Sequence, residues 1–214
     1  EVALEGYIRP GDTAPEGPFG EFTGYYAGGR SSQSCIRVEA VYHRDEPILL
    51  GSPPGRPPHD YSYFGSMLRS ANLMNAMEAA GLPGLRGVWI HEAGGSRCFT
   101  CQPGALMNKY VVVVDEDIDP TKLDEVVWAI STRSDPARDI DILRECLSSA
   151  AEPTLRPEDR AAGRVWTGRA LIRAVRPYDM VKDGAFSPVA ETPPELLRAV
   201  QEKYSALLGP SENT

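Results

Sequence analysis

The spacing of apolar and polar positions predicts strands at the start of the chain. Residues 1–8 and 35–43 alternate between the two kinds of side chain, which is the period of a strand with one buried face. Residues 48–50 form a short apolar run that we expect to be a partner strand. These three segments together predict an antiparallel sheet of two or more strands.

A helical period follows between residues 60 and 80. Gly81 and Pro83 then provide a stop signal. The apolar positions at helical spacing are Tyr61, Phe64, Leu68, Leu73, Met74 and Met77. We interpret this face as part of the core, with its methionines as packing residues rather than as a binding groove.

The centre of the chain has the pattern of a strand followed by a helix. Residues 87–92 and 109–115 are predicted strands, and the second is apolar on both faces, which favours a central position in a covered sheet. Asp119 and Pro120 are predicted as the N-cap and the first position of a helix that continues through Ile130. This part of the sequence therefore indicates an α/β unit.

Glycine and proline interrupt the periodic segments. Residues 9–24 and 150–168 contain both, so we expect irregular loops there. Apolar periodicity returns at residues 170–172, and an amphipathic helix is predicted over residues 195–208, before Gly209. The sequence shows no internal repeat.

Composition excludes several classes of protein. The formal net charge is −8 over 214 residues, which argues against nucleic-acid binding, because such binding relies on clustered Lys and Arg. No run of about eighteen apolar residues and no signal-like opening is present, so we expect neither a membrane span nor secretion. Four cysteines are too few for a disulfide scaffold, and the reducing cytoplasm is the expected compartment. Because the chain opens on a strand without an initiator Met, we expect an excerpt of a longer protein.

The loop from Pro15 to Tyr26 offers the most informative candidate chemistry. Glu16 and Glu21 lie there among glycines, prolines and aromatic residues. Such a loop can desolvate a carboxyl group, raise its pKa and hold it as a general acid or base. The same pattern occurs in solvated turns, and spacing alone favours the turn.

Three other polar groups have simpler explanations. Cys98 and Cys101 have the spacing of half a zinc site, yet the sequence has no second pair to complete it. The acidic run at residues 115–119 is better explained as a turn between a strand and a helix N-cap than as a cation site. Surface or core roles are expected for the scattered histidines, His43, His59 and His91.

Three long strings stand out along the chain. The first is EGPFGEFTGYY at residues 16–26, and the second runs from VVVVDEDIDP to ARDIDIL over residues 111–143. The third runs from ALIRAVRPYD to the SPVAETPPELL helix over residues 170–197. In this order the strings resemble the UbiD-type decarboxylases, the family that uses prenylated flavin. The chain is similar to the C-terminal portion of such an enzyme.

The resemblance implies an α/β fold in two parts. Residues 1–50 are expected to be the last strands of a split flavin-binding β-barrel, with the catalytic loop at residues 9–26. Residues 51–214 are expected to form a C-terminal α/β domain that ends in an amphipathic helix. The rest of the barrel would belong to an upstream domain or chain.

The resemblance also assigns roles to particular residues. In the family a Glu-Arg-Glu network faces the flavin, and Glu16 and Glu21 match its two glutamates. Glu21 is thereby expected to be the proton donor that replaces the departing CO2, and Glu16 to pair with the arginine, which belongs to the upstream domain. The substrate pocket is expected to be lined by the start of the 60–80 helix and by small residues near position 150. Its candidate residues are Tyr61, Phe64, Gly65, Ser149 and Ala151.

The implied function is the reversible, non-oxidative decarboxylation of an aromatic or α,β-unsaturated carboxylic acid with prenylated FMN. The full enzyme would also bind Mn²⁺ (or Mg²⁺) and K⁺, with no metal site in this chain. A flavin prenyltransferase would supply the cofactor, and a homo-oligomer, either dimer or hexamer, is expected. The main alternative is a non-catalytic assembly fragment of such an enzyme. A generic nucleotide-binding domain is disfavoured, because no Gly-rich phosphate loop follows the apolar strand.

The sequence departs from the family between Cys98 and Val111. Family members carry a further stretch there, including a helix and a basic residue near the cofactor, and residues 101–104 stand in its place. A true deletion would weaken cofactor binding. If residues are instead missing, one step between Thr100 and Gly104 would exceed the Cα spacing of about 3.8 Å of an intact trans peptide. We expect such a gap.

Overall fold

The computed structural model describes residues 1–26, 29–51, 55–92, 109–204 and 207. The chain divides into two compact units, Glu1–Val175 and Arg176–Thr214. Strands and helices both occur, which confirms the predicted α/β class. The expected gap near Thr100 and the pair Cys98 and Cys101 lie outside the described residues.

A two-stranded antiparallel ribbon opens the first unit. Strand β1 (Val2–Tyr7) pairs with β4 (Arg37–His43), with a register shift between Glu5 and Gly6. Both strands were predicted from their alternation. Residues 48–50 form no strand, so the predicted partner strand there is wrong. The strand that pairs with β4 is β1.

The two faces of this ribbon differ in chemistry. On one face Leu4 stands opposite Val41, and these residues are 63% and 56% exposed. On the other face the Tyr42 hydroxyl donates a hydrogen bond to the Glu5 carboxylate at 2.8 Å. The ribbon therefore carries an apolar face that is largely uncovered in this part of the chain.

A second ribbon begins within the predicted loop. Strand β2 (Thr13–Glu16) pairs antiparallel with β3 (Ser31–Ser34), so the prediction of an irregular loop over residues 9–24 is only partly correct. Pro15 is compatible with this strand because a two-stranded ribbon leaves every second N–H without a ladder partner. The glycine- and proline-rich sequence thus allows a short strand before it turns.

A charged hydrogen bond connects the second ribbon to the first. Asp12, next to β2, accepts two bonds from the guanidinium of Arg37 on β4, at 2.6 and 2.8 Å. The Arg37 hydrogen bond keeps the pKa of Asp12 below its ordinary value. The Asp12 carbonyl also accepts the N–H of Cys35 at 3.0 Å, so side chain and backbone both fix the corner.

The predicted long helix is present as α1 (Asp60–Ala79). It begins with a reciprocal cap, in which the N–H of Ser62 donates to Nδ1 of His59 at 3.3 Å and the N–H of His59 donates to Oγ of Ser62 at 2.8 Å. His59 therefore has a local structural role, as an N-cap.

The buried face of α1 matches the predicted one only in part, with Leu73 buried as predicted. Phe64 and Leu68 are 61% and 53% exposed, whereas the buried residues are Ser62, Gly65, Ser66, Ser70 and Leu73. The serine hydroxyls of Ser66 and Ser70 donate to backbone carbonyls one turn earlier, which satisfies them without water. Small side chains on this face also let the N–H of Ile90 reach Oγ of Ser70 at 2.8 Å.

A three-stranded sheet forms the centre of the first unit. Strand β5 (Tyr110–Val114) runs parallel to β7 (Trp166–Ala174), and β6 (Ile140–Leu147) runs antiparallel to β7. The order β5-β7-β6 places β7 in the middle of the described sheet. Within the described residues β5 is therefore an edge strand rather than the predicted central one. β6 had not been predicted.

Residues 87–92 were predicted as a strand and are not one. They form an extended connection in which Ile90 is fully buried. Its N–H bonds to a serine hydroxyl of α1 rather than to a neighbouring strand. The apolar pattern of residues 87–92 correctly predicted a buried segment. It wrongly predicted that the backbone would hydrogen-bond to a neighbouring strand.

Helix α2 (Leu123–Arg133) starts later than predicted, with Lys122 as its N-cap. Asp119 instead closes the preceding turn, where its carboxylate accepts from the N–H and the hydroxyl of Thr121 at 2.9 and 2.7 Å. Glu125 extends back from the helix and accepts the N–H of Asp119 at 2.9 Å. The predicted N-cap at Asp119 is wrong, because this turn lies between it and the helix.

The core lies between α2 and the sheet. Its buried members are Ile118, Val126, Ala129 and Ala174, with Val112, Val114 and Ile130 packed against them. Two short helices complete the unit, α3 (Pro136–Asp139) and α4 (Pro157–Ala161). Asp135 caps α3 by accepting the N–H of Ala137 at 3.0 Å.

The second unit contains α5 (Tyr178–Lys182) and α6 (Pro194–Lys203). α6 confirms the predicted amphipathic helix but begins one residue earlier, and the end predicted at residue 208 lies outside the described residues. Of the helices described here, none is both long and apolar enough to span a bilayer.

Candidate functional site

The two candidate acids lie on either side of a short turn. Glu16 is the last residue of β2, and Glu21 begins the turn that follows. The N–H of Glu21 donates to the carbonyl of Tyr25 at 2.9 Å, and the N–H of Gly24 donates to the carbonyl of Glu21 at 2.8 Å. Backbone hydrogen bonds therefore fix Glu21 on both sides, and its side chain is left for other contacts.

The two carboxylates differ in exposure. Glu16 is exposed, and Glu21 is half-buried. Within the described residues, neither carboxylate has an ion pair or a side-chain hydrogen bond.

The turn also contacts the segment that leads into α1. Gly24 lies so close to Arg56 and Pro57 that an added Cβ would be 2.8 Å from Cα of Arg56. His59, the N-cap of α1, is three residues further along. The structure thus brings the candidate acid loop to the beginning of the candidate substrate helix.

The predicted pocket residues of α1 lie on different faces. Tyr61 and Phe64 are exposed, whereas Gly65 is buried on the same face as Ser62 and Ser66. Tyr61 also stacks on the ring of His59 with 6.2 Å between the ring centroids. The exposed aromatic side chains offer flat surfaces, while Gly65 serves the packing of the helix.

Ser149 and Ala151 lie in a turn after β6, at the end of the three-stranded sheet. The N–H of Ala151 donates to Oγ of Ser149 at 3.2 Å. Both residues are half-buried. That this turn and α1 meet in one pocket stays a prediction.

A buried ion pair next to this turn had not been predicted. The carboxylate of Glu152 accepts from Nζ of Lys109 at 2.7 Å and from the hydroxyl of Thr154 at 2.6 Å. Burial alone would raise the pKa of Glu152, but the bonds from Lys109 and Thr154 outweigh it, so the pKa lies below its ordinary value. No sequence pattern connects Lys109 with Glu152, because the two are 43 residues apart in the chain.

The described residues contain no group of three His, Cys, Asp or Glu side chains that could hold a metal ion. In the acidic run, Asp115 and Asp117 bond to Arg133 at 2.9 and 2.7 Å. The Asp117 hydrogen bond is the main cause of a raised pKa at Arg133. These contacts support the interpretation of the run as a structural turn.

An apolar cleft of about 200 Å³ lies between α2, β5 and the connection at residues 87–92. Trp89 and His91 contribute to its lining, together with Val112 and Val126. Burial lowers the pKa of His91, which favours its neutral form. The predicted site residues do not line this cleft.

Two family models match the chain. The 3-octaprenyl-4-hydroxybenzoate carboxy-lyase Rift-related domain matches residues 1–57, and the C-terminal domain of the same carboxy-lyase matches residues 95–174. The chain therefore belongs to the UbiD family, which confirms the resemblance seen in the three strings. The predicted domain boundary at residue 50 stays a prediction.

Curated relatives of the chain are decarboxylases. It is 32% identical over 212 residues to a phenolic acid decarboxylase of Bacillus subtilis (strain 168), covering 90% of this chain and 43% of the relative. It is 31% identical over 237 residues to a pyrrole-2-carboxylic acid decarboxylase of Pseudomonas aeruginosa, covering 96% of this chain and 47% of the relative. The chain thus spans about half the length of these relatives.

Solved structures show the same relationship. The closed form of vanillic acid decarboxylase from Sedimentibacter hydroxybenzoicus matches with a TM-score of 0.73 and 25% identity, over 98% of this chain and 46% of that one. The UbiD-class enzyme HmfF from Pelotomaculum thermopropionicum, in complex with FMN, matches with a TM-score of 0.71 and 25% identity. The match covers 95% of this chain and 47% of that one. The mixed α/β architecture is therefore that of UbiD-class enzymes.

Proposed function

We propose that this chain supplies the acid-bearing half of an enzyme for the reversible, non-oxidative decarboxylation of an aromatic or α,β-unsaturated carboxylic acid. The turn at Glu21 is the observation that carries the proposal. Hydrogen bonds of 2.9 and 2.8 Å fix the backbone of this residue, and its turn contacts the segment before the helix that presents Tyr61 and Phe64. An acidic residue with a fixed backbone, in a turn that contacts the segment before an aromatic-bearing helix, suits proton transfer to a planar acid.

The names of the relatives support an aromatic acid as the substrate. Phenolic acids, vanillic acid and pyrrole-2-carboxylic acid each combine a planar ring with a carboxylate. Exposed Tyr61 and Phe64 would provide ring surfaces for such a substrate, because aromatic groups pack well in offset or edge-to-face geometry. Small side chains at Ser149 and Ala151 would leave room at a second wall.

The proposed cofactor is prenylated FMN, with Mn²⁺ (or Mg²⁺) and K⁺ in the complete enzyme. In this proposal the upstream half supplies the phosphate and metal ligands. When bound, the modified flavin supplies an electron sink for the carbon that loses CO2. This chain alone is therefore not expected to bind the cofactor tightly.

Glu21 and Glu16 then have separate roles. The carboxyl group of Glu21 donates its proton to the carbon that carried the carboxylate, and in the reverse direction the carboxylate removes that proton. Glu16 holds an arginine from the upstream half. Because Glu16 is exposed in this chain, the upstream half must also shield the pair from water.

The uncovered ribbon face indicates where the upstream half would bind. Leu4 and Val41 form part of an apolar surface with its polar groups on the opposite side. Burial of such a face stabilises an association by about 25 cal/mol per Å² of apolar area, before the costs of binding. A role in assembly alone is the second candidate. It accounts for this face but gives no reason for the fixed turn at Glu21.

Replacement of Glu21 by Gln tests the proposal in the complete enzyme. Glu21→Gln keeps the size of the side chain and removes its proton, so turnover should fall by about 10²- to 10⁴-fold. Glu16→Gln should also be slow, because the arginine loses its partner. Glu78→Gln, an exposed change at the end of α1, is the matched control and should leave turnover unchanged. Near wild-type turnover of Glu21→Gln would refute the assignment.

A further inference from the structure

The turn of Glu21 and the segment before α1 meet at a glycine. An added Cβ on Gly24 would be 2.8 Å from Cα of Arg56 and 3.0 Å from Cδ of Pro57. The first of these neighbours is backbone and cannot rotate away. Gly24 also has a φ of 83°, in the left-handed region that favours glycine.

This contact is connected directly to the candidate acid. The N–H of Gly24 donates to the carbonyl of Glu21 at 2.8 Å, and the N–H of Glu21 donates to the carbonyl of Tyr25 at 2.9 Å. The turn from Glu21 to Gly24 is therefore closed by its own hydrogen bonds. A displacement of Gly24 must move Glu21 as well.

The other side of the contact is connected to α1. Arg56 and Pro57 precede His59, and the reciprocal cap between His59 and Ser62 fixes the first turn of the helix at 2.8 and 3.3 Å. Backbone and capping contacts thus run from Glu21 through Gly24 to the residues that present Tyr61 and Phe64. Each hydrogen bond in this series is between 2.8 and 3.3 Å long.

We infer that Gly24 is a positioning residue, which sets the distance between the carboxyl group of Glu21 and the substrate surface of α1. The inference rests on the proposed function and assigns Gly24 no contact with the substrate. The absence of a side chain lets the two segments meet backbone to backbone. A side chain there would separate the acid from the helix while leaving both elements folded.

Two alanine variants of the complete enzyme separate this contact from backbone strain. Gly84 lies outside the catalytic loop and has a φ of 75°, close to that of Gly24, but an added Cβ there would meet no atom within 4 Å. Gly24→Ala should lower kcat by about 10²-fold, the cost of misplacing a reacting group by roughly 1 Å, and change KM far less. Gly84→Ala should keep kcat close to that of the wild type. Equal kcat values for the two variants would overturn the inference.

A double-mutant cycle distinguishes positioning from general damage. If Gly24 acts through Glu21, then Gly24→Ala should have little further effect on kcat in the Glu21→Gln enzyme, whereas general damage would lower kcat equally in both backgrounds. If Gly24→Ala does not fold, Pro57→Ala alters the contact from the other side and should show the same dependence on Glu21. Additive losses in either cycle would refute the inference.

The cycle also separates this inference from the proposed function. Unchanged turnover of Glu21→Gln would refute the acid assignment itself. Slow Glu21→Gln together with normal Gly24→Ala would refute only the positioning role. Amide hydrogen exchange gives a readout without turnover, because the Glu21 and Gly24 amides should exchange faster in Gly24→Ala and not in Gly84→Ala.

Discussion

The ion pair between Glu152 and Lys109 connects two parts of the first unit. The two residues are 43 positions apart in the sequence. Its side chain is 8% exposed and that of Lys109 is 28% exposed. A carboxylate buried to this extent is tolerated because Lys109, the hydroxyl of Thr154 and the N–H of Thr154 all donate to it. The pair fixes the turn after β6, in which Ser149 and Ala151 lie.

Replacement of Glu152 by Gln should destabilise the fold by about 2 kcal/mol near neutral pH, because a charged hydrogen bond is lost. The pKa of Glu152 is lowered from 4.5 in the folded chain, so its stabilisation is present above that value and disappears as pH falls through the folded pKa. The difference between wild type and Glu152→Gln should therefore shrink in acid. Urea unfolding at several pH values measures it.

The exposed Glu158 provides the control for this prediction. Glu158→Gln should change the unfolding free energy by less than about 0.5 kcal/mol, as is usual for surface changes. A Glu152→Gln difference that stayed constant down to pH 3 would contradict the ionic explanation.

At the same scale, sequence reasoning identified some residues and not others. Glu16 and Glu21 were proposed through the long string around them, since their spacing alone favoured a solvated turn, and their role stays a prediction. Lys109 and Glu152 could not be found, because only the folded sheet brings them together. The contact of Gly24 likewise depends on a segment more than 30 residues away, at Arg56.

Among the elements, β5 and α2 are joined by a buried arginine. Arg133, whose side chain is 2% exposed, ends α2 and bonds to Asp115 and Asp117 beyond the end of β5. Its guanidinium also stacks over Trp128, 5.0 Å from the ring centroid. These contacts therefore connect the end of α2 to the residues that follow β5.

Arg133→Met should destabilise the fold by roughly 3 kcal/mol, because it leaves two carboxylates without their cation. Arg138→Met is the matched control, since Arg138 is 70% exposed and pairs only with Asp135 in the described residues. An exposed pair of this kind contributes less than about 1 kcal/mol. Equal unfolding free energies for the two variants would show that the buried network contributes nothing.

Elements whose apolar residues recur with one clear period were predicted well. Elements that depend on hydrogen bonding to a distant strand were not. The helical spacing gave α1, and the alternation gave β1 and β4. β6 was missed, because its sequence from Ile140 to Leu147 mixes charged and apolar residues on a bulged strand beside β7. Residues 87–92 have a strand-like pattern, but their buried N–H at Ile90 is satisfied by a serine.

For the whole molecule, the family and the α/β class followed from sequence. The chain carries two candidate acids and an uncovered apolar ribbon face, and it spans about half the length of its relatives. The sequence also predicted that this chain forms one part of an active site and receives the cofactor-binding part from elsewhere, and this stays a prediction.

Release of CO2 by the separate and combined halves tests this account most directly. The assay compares this chain, a UbiD-type flavin-binding half and the two together, each with prenylated FMN and a panel of vanillic, 3,4-dihydroxybenzoic and pyrrole-2-carboxylic acids. We expect CO2 only from the combination, and only with Glu21 intact. Release of CO2 by this chain alone would contradict the account, and so would an assembled, flavin-loaded pair that turned over equally well with Glu21→Gln.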